Sequence, residues 1–227
     1  MTTADQTTAD QSTAAQRAKE IVRTAPAQGA AASPAVPAAA VTGPETTATD
    51  ELVRRARGFA SRRAAAGQGE VLPAPPALRV AVLACMDARL DVAAVLGLPE
   101  GAAHVIRNAG GVVTDDAVRS LAISQHELGT REIVLIQHTR CGMQTITDEG
   151  FRDLMESRTG SRPEWPVLAF RDLEENVRES VEALAASPYL RQSTSVRGFV
   201  YDVAAGSLHE VAAARPAAAG DRQTAEG

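Results

Sequence analysis

The sequence predicts an α/β domain with a central, mostly parallel β-sheet, helices on its faces and a C-terminal hairpin. Three short runs, LRVAVLAC (78–85), AAHVIRN (102–108) and REIVLIQH (131–138), carry apolar side chains at consecutive positions. Such runs are typical of parallel strands that are buried on both faces. Segments with helical spacing of apolar residues separate the three runs, and strands that alternate with helices indicate a parallel sheet.

Five segments have the helical pattern, and the last part of the chain has the pattern of a hairpin. The first helical segment, 51–66, carries an apolar stripe behind Asp50, the predicted N-cap residue, and ends at Gly67. The segment VRGFVYDVAAGSLHEV (196–211) contains two alternating runs around AAGS, which predicts a hairpin that turns at Gly206. The other predicted helices are DVAAVLGL (91–98), DDAVRSLAISQHELG (115–129), EGFRDLMESRTG (149–160) and FRDLEENVRESVEALAAS (170–187).

Composition sets the limits of the folded domain. The chain has 227 residues, of which 44% are hydrophobic and 22% charged, a balance typical of a soluble globular protein. Residues 1–49 are rich in Ala, Thr, Pro and Gln, and we expect a disordered tail because they contain no Leu, Phe, Tyr or Trp. The same composition predicts a second tail over residues 212–227, which leaves residues 50–211 as the folded domain. Pro34 and Pro37 interrupt the alanine-rich run and argue against a secretion signal.

Charge and cysteine usage exclude several classes of protein. The net charge of −5 and pI near 5.4 provide no basic surface for a phosphate backbone, so we expect no nucleic-acid partner. No run approaches the ~18 apolar residues of a membrane span, so we expect no membrane association. Two cysteines cannot build a disulfide framework, which favours a cytoplasmic location.

Cysteine and histidine side chains stand at the ends of two predicted strands. Cys85 ends the first apolar run, and His138 and Cys141 end or follow the third. Because the carboxyl ends of neighbouring parallel strands meet at one edge of a sheet, these side chains converge if the two strands are neighbours. Two thiolates and an imidazole suit zinc, so the sequence predicts a zinc site. A redox pair and two inert thiols are the alternatives.

Three protein ligands leave a fourth position on the metal, which either water or Asp87 can fill. Catalytic zinc sites keep a water there, whereas structural sites are closed by four side chains. Arg89 is placed to hold Asp87 in a bidentate ion pair and to keep it off the zinc. The three other histidines have no comparable neighbours, and we interpret them as structural or solvated: His104, His126 and His209.

The motifs CMDAR, RNAGG and HTRC together resemble the zinc-site motifs of the β-class carbonic anhydrases, in particular their small bacterial branch. The resemblance extends over about residues 52–211. It implies reversible hydration of CO₂ to bicarbonate and a proton by zinc-bound hydroxide, in a homodimer or possible tetramer. It also implies residue roles: zinc ligands Cys85, His138 and Cys141, a catalytic dyad of Asp87 and Arg89, and a substrate-binding loop containing Asn108, Gly110 and Gly111.

The chain also departs from the family pattern. Pro76 stands near the place where plant-type members have a bicarbonate-binding glutamine, so substrate binding is expected to differ in detail. The aromatic content of 3% predicts a pocket lined by aliphatic side chains such as Leu90, Val112 and Met143. Arg140 stands where the closest branch has an acid, and the sequence alone assigns no effect to it.

Two other functions are compatible with the same motifs. Carbonyl sulfide and carbon disulfide are linear, apolar molecules like CO₂, and relatives on this scaffold hydrolyse them at the same zinc. The chain would then be a carbonyl sulfide or carbon disulfide hydrolase. In the second alternative, Asp87 is locked on the metal and the domain is a non-catalytic, zinc-stabilised binding module.

Overall fold

The structure is a computed structural model that describes residues 47–67 and 71–214. The strands of this part of the chain are β1 (Val80–Cys85), β2 (Ala103–Asn108), β3 (Glu132–His138), β4 (Ser195–Tyr201) and β5 (Leu208–Ala214). The α-helices are α1 (Ala48–Ala65), α2 (Val92–Leu96), α3 (Asp115–His126), α4 (Asp148–Thr159) and α5 (Leu173–Ala186).

The five strands form one sheet in the order β2-β1-β3-β4-β5. The strands β2, β1, β3 and β4 run parallel to one another, and β5 runs antiparallel to β4 to complete the C-terminal hairpin. Gly206, in the hairpin turn, has a φ of 69° and donates its N–H to the carbonyl of Asp202. The predicted fold class, the parallel sheet and the hairpin are confirmed. In the part of the chain that is described, no helix is both long and apolar enough to span a bilayer.

The described residues belong to two compact units. One contains residues 74–214 and the sheet, and the other contains the described part of residues 27–73, including α1. The side chain of Thr47 accepts a hydrogen bond from the N–H of Asp50, and the Asp50 carboxylate accepts one from the N–H of Thr47. Thr47 is therefore the N-cap residue, and the prediction of Asp50 in that role is wrong. Asp50 instead completes a capping box from the third helical position.

Most of the two predicted tails lies outside the described residues. Residues 47–49 cap and begin α1, and residues 212–214 end β5. The prediction of disorder for residues 1–46 and 215–227 therefore stays a prediction.

Alternate side chains of the central strands enter two apolar layers on opposite faces of the sheet. On β1, Ala81 and Leu83 pack in the layer formed with α3 and α5, whereas Val82, Ala84 and Cys85 pack in the other layer. All five side chains are buried. The second layer is the one that contains the cysteines.

The strand β2 differs from the prediction that all three apolar runs are buried on both faces. Burial is nearly complete along β1, but β2 contains no fully buried residue, and Val105 is 43% exposed. The prediction is wrong for β2 because, among the strands of residues 47–67 and 71–214, it lies at the edge of the sheet and has a neighbour on one side only.

A close contact between α5 and β4 requires a glycine at position 198. A β-carbon on Gly198 would lie 2.5 Å from Cγ1 of Val177 and 2.6 Å from Cγ2 of Val181, both buried in the apolar layer. We expect Gly198→Ala to lower the free energy of unfolding by about 1–3 kcal/mol because the packed helix must shift. Urea denaturation measures this loss. Gly142→Ala is the matched control, because a β-carbon at Gly142 meets no atom of the described residues within 4 Å.

Equal stability of the two alanine variants would contradict the close packing of α5 on β4. The prediction concerns folding only, since Val177 and Val181, which the added β-carbon would meet, lie in the apolar layer opposite the cysteines.

Candidate metal centre

The pairing of β1 with β3 brings the three predicted metal ligands together. The Sγ atoms of Cys85 and Cys141 are 4.0 Å apart, and Nε2 of His138 lies 3.2 Å from Sγ of Cys85. The three ligand atoms all lie within 4.8 Å of one another, and all three residues are buried. In a tetrahedral zinc site with Zn–S bonds of about 2.3 Å, two sulfurs are about 3.8 Å apart. The spacing therefore fits a zinc ion, whereas a disulfide requires sulfurs about 2.05 Å apart.

The imidazole of His138 is oriented for metal binding by a hydrogen bond on its far side. Its Nδ1 lies 2.9 Å from the carbonyl oxygen of Thr139, which can only accept. Nδ1 therefore carries the hydrogen, and Nε2 presents its lone pair toward the cysteine sulfurs. Histidine ligands of metals are commonly fixed in this way.

Backbone N–H groups stabilise both sulfurs as thiolates. The N–H groups of Asp87 and Gly110 donate to the sulfur of Cys85, and both bonds lower the pKa of that thiol. The N–H of Met143 donates to the sulfur of Cys141 and acts on its pKa in the same direction. Because zinc binds the thiolate form, these bonds favour metal binding.

The two thiols titrate differently when only protein groups surround them. Without the metal, the thiol of Cys141 and then the protonated imidazole of His138 lower the pKa of Cys85 by donating hydrogen bonds to its thiolate. The same bond to Cys85, together with burial, raises the pKa of Cys141. The bond to Cys85 also raises the pKa of His138.

We therefore expect two separate thiol titrations after a chelator removes the metal. The ultraviolet absorbance of thiolate should rise in one step below the ordinary thiol range of about 8.5 and in a second step above it. In Cys141→Ala, the remaining step should move back toward the ordinary range because the strongest donor to Cys85 is gone. Two thiols that titrate together in the wild-type protein would contradict this coupling.

Asp87 lies beside the three ligands but faces Arg89. Both carboxylate oxygens of Asp87 accept hydrogen bonds from the guanidinium of Arg89, at 2.9 and 2.7 Å. Oδ2 of Asp87 is 3.6 Å from Nε2 of His138. The hydrogen bonds from the Arg89 side chain hold the pKa of Asp87 well below its usual range. Asp87 is therefore an ionised carboxylate at neutral pH and can only accept hydrogen bonds.

The backbone of Arg140, a residue to which the sequence alone assigned no effect, contacts Arg89. Its φ of 58° is in the left-handed region, which few residues other than glycine adopt. Its carbonyl oxygen accepts a hydrogen bond from Nη2 of Arg89 at 3.1 Å. The carbonyl of Arg140 thus fixes the guanidinium of Arg89, while the side chain of Arg140 is exposed.

The RNAGG loop packs against the C-terminal end of β1, where Cys85 lies. The side chain of Asn108 accepts from the N–H of Val112 and donates to its carbonyl, which closes the turn between them. A β-carbon on Gly111 would lie 2.7 Å from the backbone nitrogen of Cys85 and 2.9 Å from the carbonyl oxygen of Ile136. Asn108 and Gly110 thus have partners within the site, and contact of this loop with substrate stays a prediction.

The predicted aliphatic lining is present, but one aromatic ring accompanies it. Leu90, Val112 and Met143 are buried in one cluster with both cysteines. Phe170 belongs to the same cluster and is 8% exposed. The sequence placed Phe170 at the start of a helix, whereas α5 begins only at Leu173.

The remaining histidines lie outside this centre, as predicted. Nδ1 of His104 bonds to the hydroxyl of Ser124, His126 bonds to the carbonyl of Tyr189, and His209 is exposed on β5. Among the described residues, Cys85, His138 and Cys141 form the one group of three or more His, Cys, Asp or Glu side chains that could hold a metal ion.

Arg107 is the first residue of the RNAGG motif, but the sequence alone assigned it no role in the site. Its guanidinium donates to the carbonyl oxygens of Cys85 and Asp87. The available signal was a charged residue inside the otherwise apolar run AAHVIRN, directly before Asn108.

Comparisons with known proteins agree with this geometry. A sequence profile of the carbonic anhydrase family matches residues 80–165. Beta-carbonic anhydrase 1 of Mycobacterium tuberculosis is 51% identical over 165 residues, which cover 73% of this chain and 98% of the relative. A carbon disulfide hydrolase of Acidithiobacillus thiooxidans is 36% identical over 151 residues, or 57% of this chain and 75% of the relative.

A solved structure gives the same result for the fold. The carbonic anhydrase of Streptococcus mutans superposes on this chain with a TM-score of 0.68 at 40% sequence identity. The superposition covers 74% of this chain and 99% of the Streptococcus mutans chain. Half of the aligned residues are shared with the mycobacterial relative, across nearly its whole length. On the strength of this identity, this fold and this arrangement of cysteines and histidine, the chain belongs to the β-carbonic anhydrase family.

Proposed function

We propose that this chain catalyses the reversible hydration of CO₂ to bicarbonate and a proton, with Zn²⁺ as its cofactor. Cys85, His138 and Cys141 would hold the metal. Bound zinc lowers the pKa of a coordinated water to about 7 and so supplies a nucleophile at neutral pH. The observation that carries the proposal is the convergence of two sulfurs and one imidazole nitrogen beside a carboxylate that is paired with an arginine.

Asp87 would orient the attacking oxygen. An ionised carboxylate accepts a hydrogen bond and cannot donate one, so it would turn the hydrogen of the nucleophile toward itself and a lone pair toward the carbon of CO₂. The Asp87 carboxylate is suitably placed, with Oδ2 at 3.6 Å from the ligand nitrogen of His138. Its lowered pKa keeps it ionised throughout the neutral pH range.

Arg89 would keep Asp87 from becoming a fourth ligand. Its two N–H groups occupy both carboxylate oxygens, and a further N–H is anchored on the carbonyl of Arg140. A carboxylate held in this bidentate way must give up charge-assisted hydrogen bonds before it can move onto a metal. The pair therefore favours a site with one open position.

The apolar cluster beside the cysteines suits a small linear substrate. Leu90, Val112, Met143 and Phe170 would exclude water from one side of the site. A low-dielectric wall strengthens the interaction between Asp87 and the attacking oxygen. CO₂ has no net charge or dipole, so it enters such surroundings at little desolvation cost.

Stopped-flow measurement of CO₂ hydration between about pH 6.5 and 9, with zinc determined on the same sample, tests the proposal. We expect hydration well above the uncatalysed rate, which rises with pH as the nucleophile forms. Stoichiometric zinc with no hydration above background would instead support the binding module in which Asp87 closes the metal site.

A carbonyl sulfide or carbon disulfide hydrolase is the second candidate. The observation in its favour is the similarity to carbon disulfide hydrolases at 36% identity, together with an apolar cluster that such molecules would also fit. Sulfide release from carbonyl sulfide, measured beside CO₂ hydration on one preparation, separates the two activities. We expect the kcat/KM for CO₂ to be the larger, since the 51% identical relative is a carbonic anhydrase.

A homodimer or tetramer and a cytoplasmic location stay predictions. The unit that contains α1 presents exposed apolar side chains, Leu52 at 62%, Val53 at 44% and Phe59 at 58%, which supports a partner surface on this helix. Sedimentation velocity of the full chain tests the oligomeric state.

A further inference from the structure

Arg107 makes three hydrogen bonds to the segment that carries a metal ligand and the carboxylate. Its Nε and Nη2 lie 3.0 and 2.7 Å from the carbonyl oxygen of Cys85, and Nη2 lies 2.7 Å from the carbonyl oxygen of Asp87. We propose that Arg107 is a positioning residue, whose guanidinium fixes the backbone between Cys85 and Asp87 and so sets the sulfur and the carboxylate in their relative places.

This segment has left the sheet and needs another support. The last contact of its backbone with β2 is the bond from the N–H of Met86 to the carbonyl of Asn108, at 2.8 Å. Beyond it, the chain turns, and the N–H of Leu90 donates to the carbonyl of Asp87. Arg107, one residue before Asn108 on the neighbouring strand, reaches around the end of β1 to the carbonyls on both sides of Met86.

The chemistry of the contact requires an arginine. A guanidinium offers several N–H groups in one plane and in a rigid fork, so it can hold two carbonyl oxygens at fixed positions. A lysine ammonium at residue 107 would keep the positive charge but not the fork. The two properties of Arg107, charge and geometry, can therefore be separated by substitution.

Because Arg107 is exposed, its removal is expected to affect the geometry of the site more than the stability of the fold. Its side chain lies at the surface, so water can replace its hydrogen bonds when it is removed. Each such hydrogen bond contributes about 0.5–1.5 kcal/mol to the free energy of unfolding, so we expect Arg107→Ala to be less stable but still folded. The geometry of Cys85 and Asp87 is more sensitive, because groups around metal ligands commonly contribute about 10- to 100-fold to metal affinity or activity.

The test compares Arg107→Ala and Arg107→Lys with Arg119→Ala, which removes an exposed arginine that pairs with Asp116 on α3. Chelator competition gives the zinc dissociation constant, and hydrogen exchange follows the amides of Asp87, Arg89 and Leu90 in the zinc-loaded protein. We expect Arg107→Ala to weaken zinc binding about 10-fold and to speed exchange at these amides, with no change in Arg119→Ala. Unchanged affinity and exchange in Arg107→Ala would overturn the proposal.

A further measurement, the CO₂ hydration activity of the Arg107 variants, rests on the proposed function. We expect Arg107→Ala to lower kcat for CO₂ hydration about 10-fold with KM nearly unchanged, because a misplaced Asp87 affects the reacting oxygen more than substrate entry. Arg107→Lys should resemble alanine, and full recovery with lysine would overturn the role of the fork. A wild-type protein that binds zinc but hydrates no CO₂ would refute the proposed function, while the affinity and exchange results would still decide the role of Arg107.

Discussion

Replacing Asp87 with alanine is expected to abolish most CO₂ hydration while zinc remains bound. The carboxylate is not one of the three converging ligands, so its removal leaves Cys85, His138 and Cys141 in place. It is the ionised acceptor beside them, and groups that position or exchange a proton with the nucleophile contribute about 10²- to 10⁴-fold. We therefore expect kcat to fall by at least about 100-fold, measured by stopped-flow with zinc determined on the same protein.

A second aspartate provides the control for this experiment. Asp116 also pairs with an arginine, Arg119, but on the exposed surface of α3. Asp116→Ala should leave both zinc content and hydration unchanged. Hydration at the wild-type rate in Asp87→Ala would refute the part assigned to the Asp87–Arg89 pair, whatever the zinc content.

Replacing Gly111 with alanine is expected to disrupt both the fold around the metal centre and its activity. The added β-carbon would lie 2.7 Å from the backbone nitrogen of Cys85 and 2.9 Å from the carbonyl oxygen of Ile136, and neither atom can rotate away. The φ of 64° adds the cost of a left-handed conformation. Together we expect a loss of about 3 kcal/mol or more in the free energy of unfolding, and reduced zinc content because Cys85 must move.

Gly97→Ala isolates the contribution of the close contact. Gly97 has a similar φ of 61°, but in the part of the chain that the structure describes a β-carbon there meets no atom within 4 Å. Its alanine variant should lose only the conformational part, about 1 kcal/mol, and should retain zinc and hydration. Similar losses in the two variants, by urea denaturation and zinc assay, would contradict the role assigned to the approach of Gly111 to β1.

The sequence predicted the convergence of Cys85, His138 and Cys141 because the motifs that carry them are short and the fold class places strand ends together. Cys85 ends one strand and His138 ends another, and a parallel sheet places such ends at one edge. The pairing of β1 with β3 makes them neighbours. Asp87 and Arg89 could be predicted as well, because they pair with each other and lie only two residues apart in the sequence.

Other features depend on information that a single sequence does not contain. An apolar run has the same composition at the centre and at the edge of a sheet, so the exposure of β2 could not be predicted from AAHVIRN. Thr47 and Asp50 are both good N-cap residues, and the hydrogen bonds decide between them. Arg107 and Arg140 belong to the RNAGG and HTRC motifs, but they act on or through backbone carbonyls, which every residue has, so their roles could not be predicted from the sequence.

Zinc K-edge X-ray absorption on the zinc-loaded chain at neutral pH tests the central claim most directly, because it counts the sulfur and the light ligands of the metal. We expect two sulfurs at about 2.3 Å and two nitrogen or oxygen ligands at about 2.0–2.1 Å. In Asp87→Ala the count should stay the same, since the oxygen ligand comes from solvent. A zinc ion with fewer than two sulfurs, or one that loses its oxygen ligand when Asp87 is removed, would contradict a three-ligand centre with an open fourth position.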